Sequence, residues 1–297
     1  MLENMLSNVL DKINNEKYNE ALKDYEELKL KYPDDPVIYI KIGELLYSKS
    51  NLQDALRVFE DGLAFSKDKD DDWLEGVFSS YIGVIYYLNG ELDGALKHFS
   101  KALDVSIKYG KKGFNAEQLG NIGSVYKEKG NFDLAIFHYK ESIDLLHEIG
   151  DEDLLANQLN NLALIYVERN DLKEALTYLE EALSLYRKNG NLQGEANQLG
   201  NIGTIYRDLK EYEKALAYYF NSLSIYKNIS FKEGEAFQLS NIGYIYAVQG
   251  DAKKAVEYFI EARNIYQKID KKQAEQIEEN IKTLSTYLLT GECTITV

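Results

Sequence analysis

Apolar residues along this chain recur at steps of three and four, the spacing that lines one face of an α-helix. The stripe Leu92/Ala95/Leu96/Phe99 returns as Phe132/Ala135/Ile136/Tyr139, Leu172/Ala175/Leu176/Leu179, Tyr212/Ala215/Leu216/Tyr219 and Ala255/Val256/Phe259. Each stripe is preceded by a helix with its own signature. Gln118-Leu119-Gly120-Asn121-Ile122-Gly123 is followed by Gln158-Leu159-Asn160-Asn161-Leu162-Ala163, Gln198-Leu199-Gly200-Asn201-Ile202-Gly203 and Gln238-Leu239-Ser240-Asn241-Ile242-Gly243. Short polar turns such as Asn89-Gly90-Glu91 and Lys129-Gly130-Asn131 separate the two helices of a pair. The step is 40 residues, kept also by Ala55, Ala95, Ala135, Ala175, Ala215 and Ala255. A fixed period of this size predicts stacked helix pairs, each touching only its neighbours.

Taken in order, residues 2–35 read as a shorter first unit, closed by Tyr32-Pro33-Asp34-Asp35-Pro36, where proline stops helix propagation. Val37–Ser48 and Leu52–Ser66 form the next pair, and Asp70 to Asp72 read as a helix start rather than a metal loop. The expected units are 2–35, 36–75, 76–115, 116–155, 156–195, 196–235 and 236–270. Lys271–Leu289 breaks the pattern and reads as a capping helix, with a short tail at 290–297. Gly43, Gly83, Gly123, Gly203 and Gly243 fall inside first helices, where glycine costs about 1 kcal/mol relative to alanine. Their register predicts a close approach of the paired helix at its recurring Ala.

These features resemble the tetratricopeptide repeat family: a small residue in the first helix, an aromatic three residues on, then Ala and a further aromatic in the second helix. Gly123, Tyr126, Ala135 and Tyr139 fit that pattern, as do Gly203, Tyr206, Ala215 and Tyr219. The 40-residue period and recurring Asn look most like the repeats of kinesin light chains and spindle-orientation adaptors. Leu46, where later units have Tyr, and Gly62, where they have Ala or Ser, depart from it. The resemblance implies an all-α, right-handed superhelical solenoid of tandem antiparallel helix pairs, about seven repeats plus the cap. It also implies that the free side of the first helices lines a concave groove.

That side carries the candidate binding residues. Units two and three present an apolar face that includes Tyr81 and Tyr87. Unit four presents Asn121, Ser124 and Lys127, unit five Asn157, Asn160 and Asn161, and unit six Asn197, Asn201, Thr204 and Arg207. Unit seven turns apolar again, with Phe237 and Tyr244 beside Asn241. A carboxamide both donates and accepts, so Asn121, Asn161, Asn201 and Asn241 can pair with the main chain of an extended peptide. They can equally bridge neighbouring helices of the array. Gln118, Gln158, Gln198 and Gln238 read as inter-repeat hydrogen bonds, and the 24 tyrosines as mostly core packing.

Charge narrows the partner. The 297 residues include 49 Asp and Glu against 34 Lys and Arg, a net charge of −15. Without a basic face, nucleic-acid binding is not expected; the acidic field favours a neutral or basic segment with apolar anchors. No apolar run reaches the length of a membrane span, the amino terminus lacks a secretory pattern, and the lone Cys293 fits a reducing cytoplasm. No constellation suggests catalysis, a metal or a cofactor. His98 and His138 sit at equivalent rim positions, and His147 lacks the second histidine of a zinc helix. The expectation is a non-enzymatic adaptor holding a partner's peptide segment in its groove. A homo-oligomeric scaffold and a peptide-responsive regulator remain the alternatives, and the ending Ile295-Thr296-Val297 is a weak candidate for strand addition.

Overall fold

The computed structural model describes residues 2–290; Cys293 and the Ile295–Val297 ending lie outside the described residues. Fifteen α-helices and no strand occur among them. The chain divides into two compact units, one ending at Gly150 and one starting at Asp151, and each is described by itself.

The first unit holds α1 (Leu2–Asn14), α2 (Tyr18–Lys31), α3 (Val37–Ser48), α4 (Leu52–Asp68), α5 (Asp72–Leu88), α6 (Leu92–Lys108), α7 (Lys112–Glu128) and α8 (Phe132–Ile149). The second holds α9 (Glu152–Glu168), α10 (Leu172–Lys188), α11 (Leu192–Asp208), α12 (Tyr212–Asn228), α13 (Lys232–Val248), α14 (Ala252–Ile269) and α15 (Lys271–Thr290). Consecutive helices pack as pairs, and each pair packs on the next within its unit. From α5 onward the first helices begin four residues ahead of the boundaries expected at 76, 116, 156, 196 and 236. The extra turn is polar at its start. Asp71, Asp151 and Asn191 accept the backbone N–H of Leu74, Leu154 and Gly194, satisfying donors that a helix start otherwise leaves open.

The recurring glycines have a cause other than the expected one. A Cβ on Gly83, Gly203 or Gly243 would lie 2.8, 2.8 or 3.0 Å from the ring of Phe99, Tyr219 or Phe259, and one on Gly123 would lie 3.2 Å from Tyr139. The ring at the end of the second helix's stripe, not its Ala, lies against the first helix. Ala163 is the exception that completes the rule, since its repeat carries Leu179 in place of the ring and both are fully buried in one cluster. Gly62 follows the same logic: Phe78 fills the space beside it, at the position where later repeats carry Gln118, Gln158, Gln198 and Gln238. Where serine occupies that small-residue position it is buried and bonded, Ser142 Oγ donating to the Ala116 carbonyl at 2.6 Å and Ser222 Oγ to Ala196 at 2.7 Å.

Exposed pairs 36 residues apart tie the rims of neighbouring helices. In the first unit these are Lys108 with Asp72, Lys112 with Glu148, and Lys129 with Asp93 at 2.5 Å. In the second they are Lys188 with Glu152, and Asn189 with Asp153 at 2.8 Å. Such surface pairs contribute little energy, so burial carries the stability.

Tyr126, Tyr166 and Tyr206, expected in the core, are only half-buried. They stack instead on His138, Tyr178 and Tyr218, with centroids 5.4–5.5 Å apart. Tyr86 on His98 and Tyr246 on Tyr258 complete the same rim feature. The fully buried tyrosines are Tyr25, Tyr139 and Tyr219. Burial holds the His98 and His138 imidazoles below their ordinary range, with Lys97 and Lys67 adding to the effect at His98 and Glu141 opposing it at His138. The unfolded chain therefore binds protons first, and stability falls as pH drops below about 6.5. Replacing both histidines by tyrosine, the residue of the later repeats, removes that component. Between pH 7 and 5 the melting temperature of wild type should fall on the order of 2 °C further than that of the His98→Tyr/His138→Tyr variant.

Candidate functional site

The first helices present the candidate residues in two groups, one in each unit. In the first unit α5 carries Tyr81 and Tyr87, and α7 carries Asn121, Ser124 and Lys127. All five are half-buried. A cavity of about 380 Å³ opens among α3, α5 and α7, lined by Tyr47, Val77, Ser80, Tyr81, Val84, Phe114 and Glu117. Tyr81 stacks on Phe59 with centroids 4.5 Å apart and 4° between planes, and its hydroxyl donates to Glu44. Burial, then the Glu44 hydrogen bond, raises that phenol well above its ordinary range. Burial and Glu128 raise Tyr87 as well.

Ser124 is tied into the repeat. Its hydroxyl shares a 2.8 Å hydrogen bond with Tyr139 and lies 3.1 Å from the Gly120 carbonyl. Burial pushes the Tyr139 phenol up to about 12. Thr204 does the same with Tyr219 and Gly200 in the second unit. Gly120 is buried, as is Gly200. Gly200 lies under the Gln238 carboxamide, whose Nε2 would be 2.8 Å from an added Cβ.

The asparagines divide by what they bond. Asn160 Oδ1 accepts from Gln198 Nε2 at 3.0 Å and from Asn201 Nδ2 at 3.2 Å, a bridge from α9 to α11. Asn241 Nδ2 reaches Gln238 Oε1 at 3.5 Å. Asn157 and Asn197 are exposed and accept the hydroxyls of Tyr186 and Tyr226, the former at 2.6 Å. Asn121 and Asn161 form no side-chain hydrogen bond among the described residues, which leaves their donors and acceptors open. Gln118 is fully buried and neither of its amide atoms has a partner among the described residues.

The second unit closes on an aromatic group. Arg207 lies over the Tyr244 ring at 5.7 Å and pairs with Asp208. Tyr244, Val248 and Phe237 are exposed on α13. Phe237 and Asn197 share a cavity of about 450 Å³ with Tyr226, Phe231 and Tyr266. Phe114 and Phe231 escape the sequence reading because each precedes the repeat boundary drawn from the apolar motif. No group of three or more His, Cys, Asp or Glu able to hold a metal ion occurs among the described residues, and no described helix is long and apolar enough to cross a membrane.

Comparison with solved structures supports the architecture. A signal-transduction ATPase with a tetratricopeptide repeat sensor from Pyrococcus horikoshii aligns with a TM-score of 0.76 at 17% identity, over 98% of this chain and 45% of that one. The APC/C hetero-tetramer Cut9–Hcn1 aligns at 0.64 and 20% identity, over 93% and 48%. The nearly identical TPR-like repeats of a Podosopora anserina protein assigned as a kinesin light chain align at 0.55 and 13%, over 65% and 95%. The chain thus spans about half the length of the first two. A search of curated protein sequences finds no match. The tetratricopeptide repeat signature matches residues 76–148, 119–188 and 194–268. With its helix pairs, its ring-on-glycine packing and these three matches, the chain belongs to the tetratricopeptide repeat family.

Proposed function

We propose that this chain is a non-enzymatic adaptor that holds a peptide segment of a partner protein against the first-helix face of its repeats. Tetratricopeptide repeats are protein-interaction and scaffolding modules, which gives the general role. The observation that carries the finer reading is one open carboxamide in each unit, Asn121 in the first and Asn161 in the second. Both stand half-exposed on first helices with carboxamides that no residue of the array takes up, chemistry suited to an extended main chain. Exposed apolar side chains on other first helices, Leu88 of α5 and Phe237, Tyr244 and Val248 of α13, offer anchors for the segment's side chains.

Asn121→Ala/Asn161→Ala should fold like wild type and bind a partner captured from lysate roughly tenfold more weakly, because each lost main-chain contact removes about 0.5–1.5 kcal/mol. Equal affinity of the variant for that partner would assign the carboxamides to the array and sink this reading. A second reading, assembly of copies through the second-helix face, draws on Ile107 and Phe137, which are 59% and 53% exposed there. A solution mass of one chain by light scattering removes it.

A further inference from the structure

We propose that the cavity among α3, α5 and α7 takes a basic side chain, lysine or arginine, from an otherwise apolar segment of a partner protein. The proposal rests on the groove-binding reading above and adds the chemistry of one position within it.

The cavity walls are largely apolar and aromatic, with Val77, Val84, Tyr47 and Phe114 in the lining. Its polar groups are few and placed. Ser80 lines it while only 6% exposed, and its hydroxyl has no hydrogen-bond partner among the described residues. Glu117 supplies the one carboxylate of the lining, and it forms neither an ion pair nor a hydrogen bond among the described residues. Glu117 is exposed at the cavity, yet the neighbouring walls desolvate its carboxyl enough to push it above the ordinary range, with no cation opposing the effect. A second carboxylate, Glu44, lies beyond the Tyr81 ring and holds its hydroxyl.

A ligand group fitted to this site has a methylene stem to lie on Val77 and Val84 and a cationic head to reach Glu117. The faces of Tyr47 and Phe114 suit the same cation. Lysine and arginine meet that description. An aspartate or glutamate would meet the field of two carboxylates, and a purely apolar anchor would leave Glu117 desolvated and unpaired. The chain's own first helix is not available, because Leu6, Val9 and Ile13 of α1 are already buried in the core of the first unit. A second copy of the chain, at a net charge of −15, is a poor source of a basic segment.

The test is selection from a displayed library of random 12-residue peptides on the intact chain, run in parallel on wild type, Glu117→Gln and Glu117→Lys. Glu60→Gln, an exposed acid of α4 outside the lining, is the charge-matched control. Wild type and Glu60→Gln should enrich peptides with a Lys or Arg flanked by apolar residues. Glu117→Gln should lose the basic preference and Glu117→Lys should turn it acidic. The leading wild-type peptide should bind Glu117→Gln at least about tenfold more weakly. Enriched peptides without a basic position, or with one that survives Glu117→Gln, would overturn the proposal and leave groove binding standing. No enrichment on any form would overturn both. Enrichment lost equally in Glu60→Gln would show a general field effect and also overturn it.

Discussion

Gly203→Leu should destabilise the second unit by about 3 kcal/mol, the upper range for forcing methylenes into a packed core. The ring of Tyr219 stands 2.8 Å from where the first added carbon would go, and Tyr218 Cβ closes the other side at 3.3 Å. Alanine is the finer probe. Gly203→Ala gains about 1 kcal/mol of helix propensity and still should lose stability, since neither neighbour is the free end of a flexible side chain. Tyr219→Leu alone should cost about 2 kcal/mol through the cavity it leaves. The two together reproduce the native pair Ala163 and Leu179, fully buried in the neighbouring repeat, and should recover much of the loss. A double-mutant cycle by chemical denaturation reads the coupling, expected at about 1–2 kcal/mol. Additive losses would mean the ring and the glycine are unrelated.

The second large effect is expected at α15, the last described helix. α15 buries Ala274, Ile277, Ile281 and Leu284 in one cluster with Phe259 and Tyr266 of α14. Arg263 reaches across to Glu278 at 2.6 Å. Ile281→Asp places a carboxylate in that contact and should cost about 3–5 kcal/mol. A chain ending at Asp270 should lose the cooperative melting of the second unit and scatter light as exposed apolar surface associates. Melting as sharp as wild type in either form would make α15 a passenger rather than a cap. Charge reversal at Glu278 serves as the mild comparison, because its partner pair is partly exposed and such pairs contribute little.

Both predictions show what periodicity discloses and what it omits. The pairing of helices, the 40-residue step and the departing last helix follow from apolar spacing, because spacing on a helix is a one-dimensional property. Which residue meets Gly203 is a property of two helices, and spacing selects the Ala as readily as the ring four residues on. The clue was nonetheless present: the repeat that lacks the glycine at 163 also lacks the ring at 179. Gly62 and Phe78 form a second such exchange, invisible until the two are seen in contact. The site divides in the same way. Asn201 and Asn161 occupy the same repeat position, yet only Asn201 is held, because the preceding repeat offers it Asn160. The desolvation of Glu117 is not legible in the sequence, since Phe114, Tyr47 and Val77 come from three separate helices.

The turns between helices have a consequence for how the array opens. α6 is bounded by Gly90 and Gly110, and α8 by Gly130 and Gly150, all with left-handed backbone. α4 is bounded by Ser50 and Asp70, and α12 by Lys210 and Ser230, with φ of 60°, 52°, 62° and 58°. A side chain in that conformation costs about 1–2 kcal/mol per residue, and each of these helices carries the cost at both ends. Unwinding either one would release it, so transient excursions from the native state are expected to begin at α4 in one unit and at α12 in the other. Amide hydrogen exchange should therefore run faster along α4 and α12 than along α3 and α11, the helices they pair with.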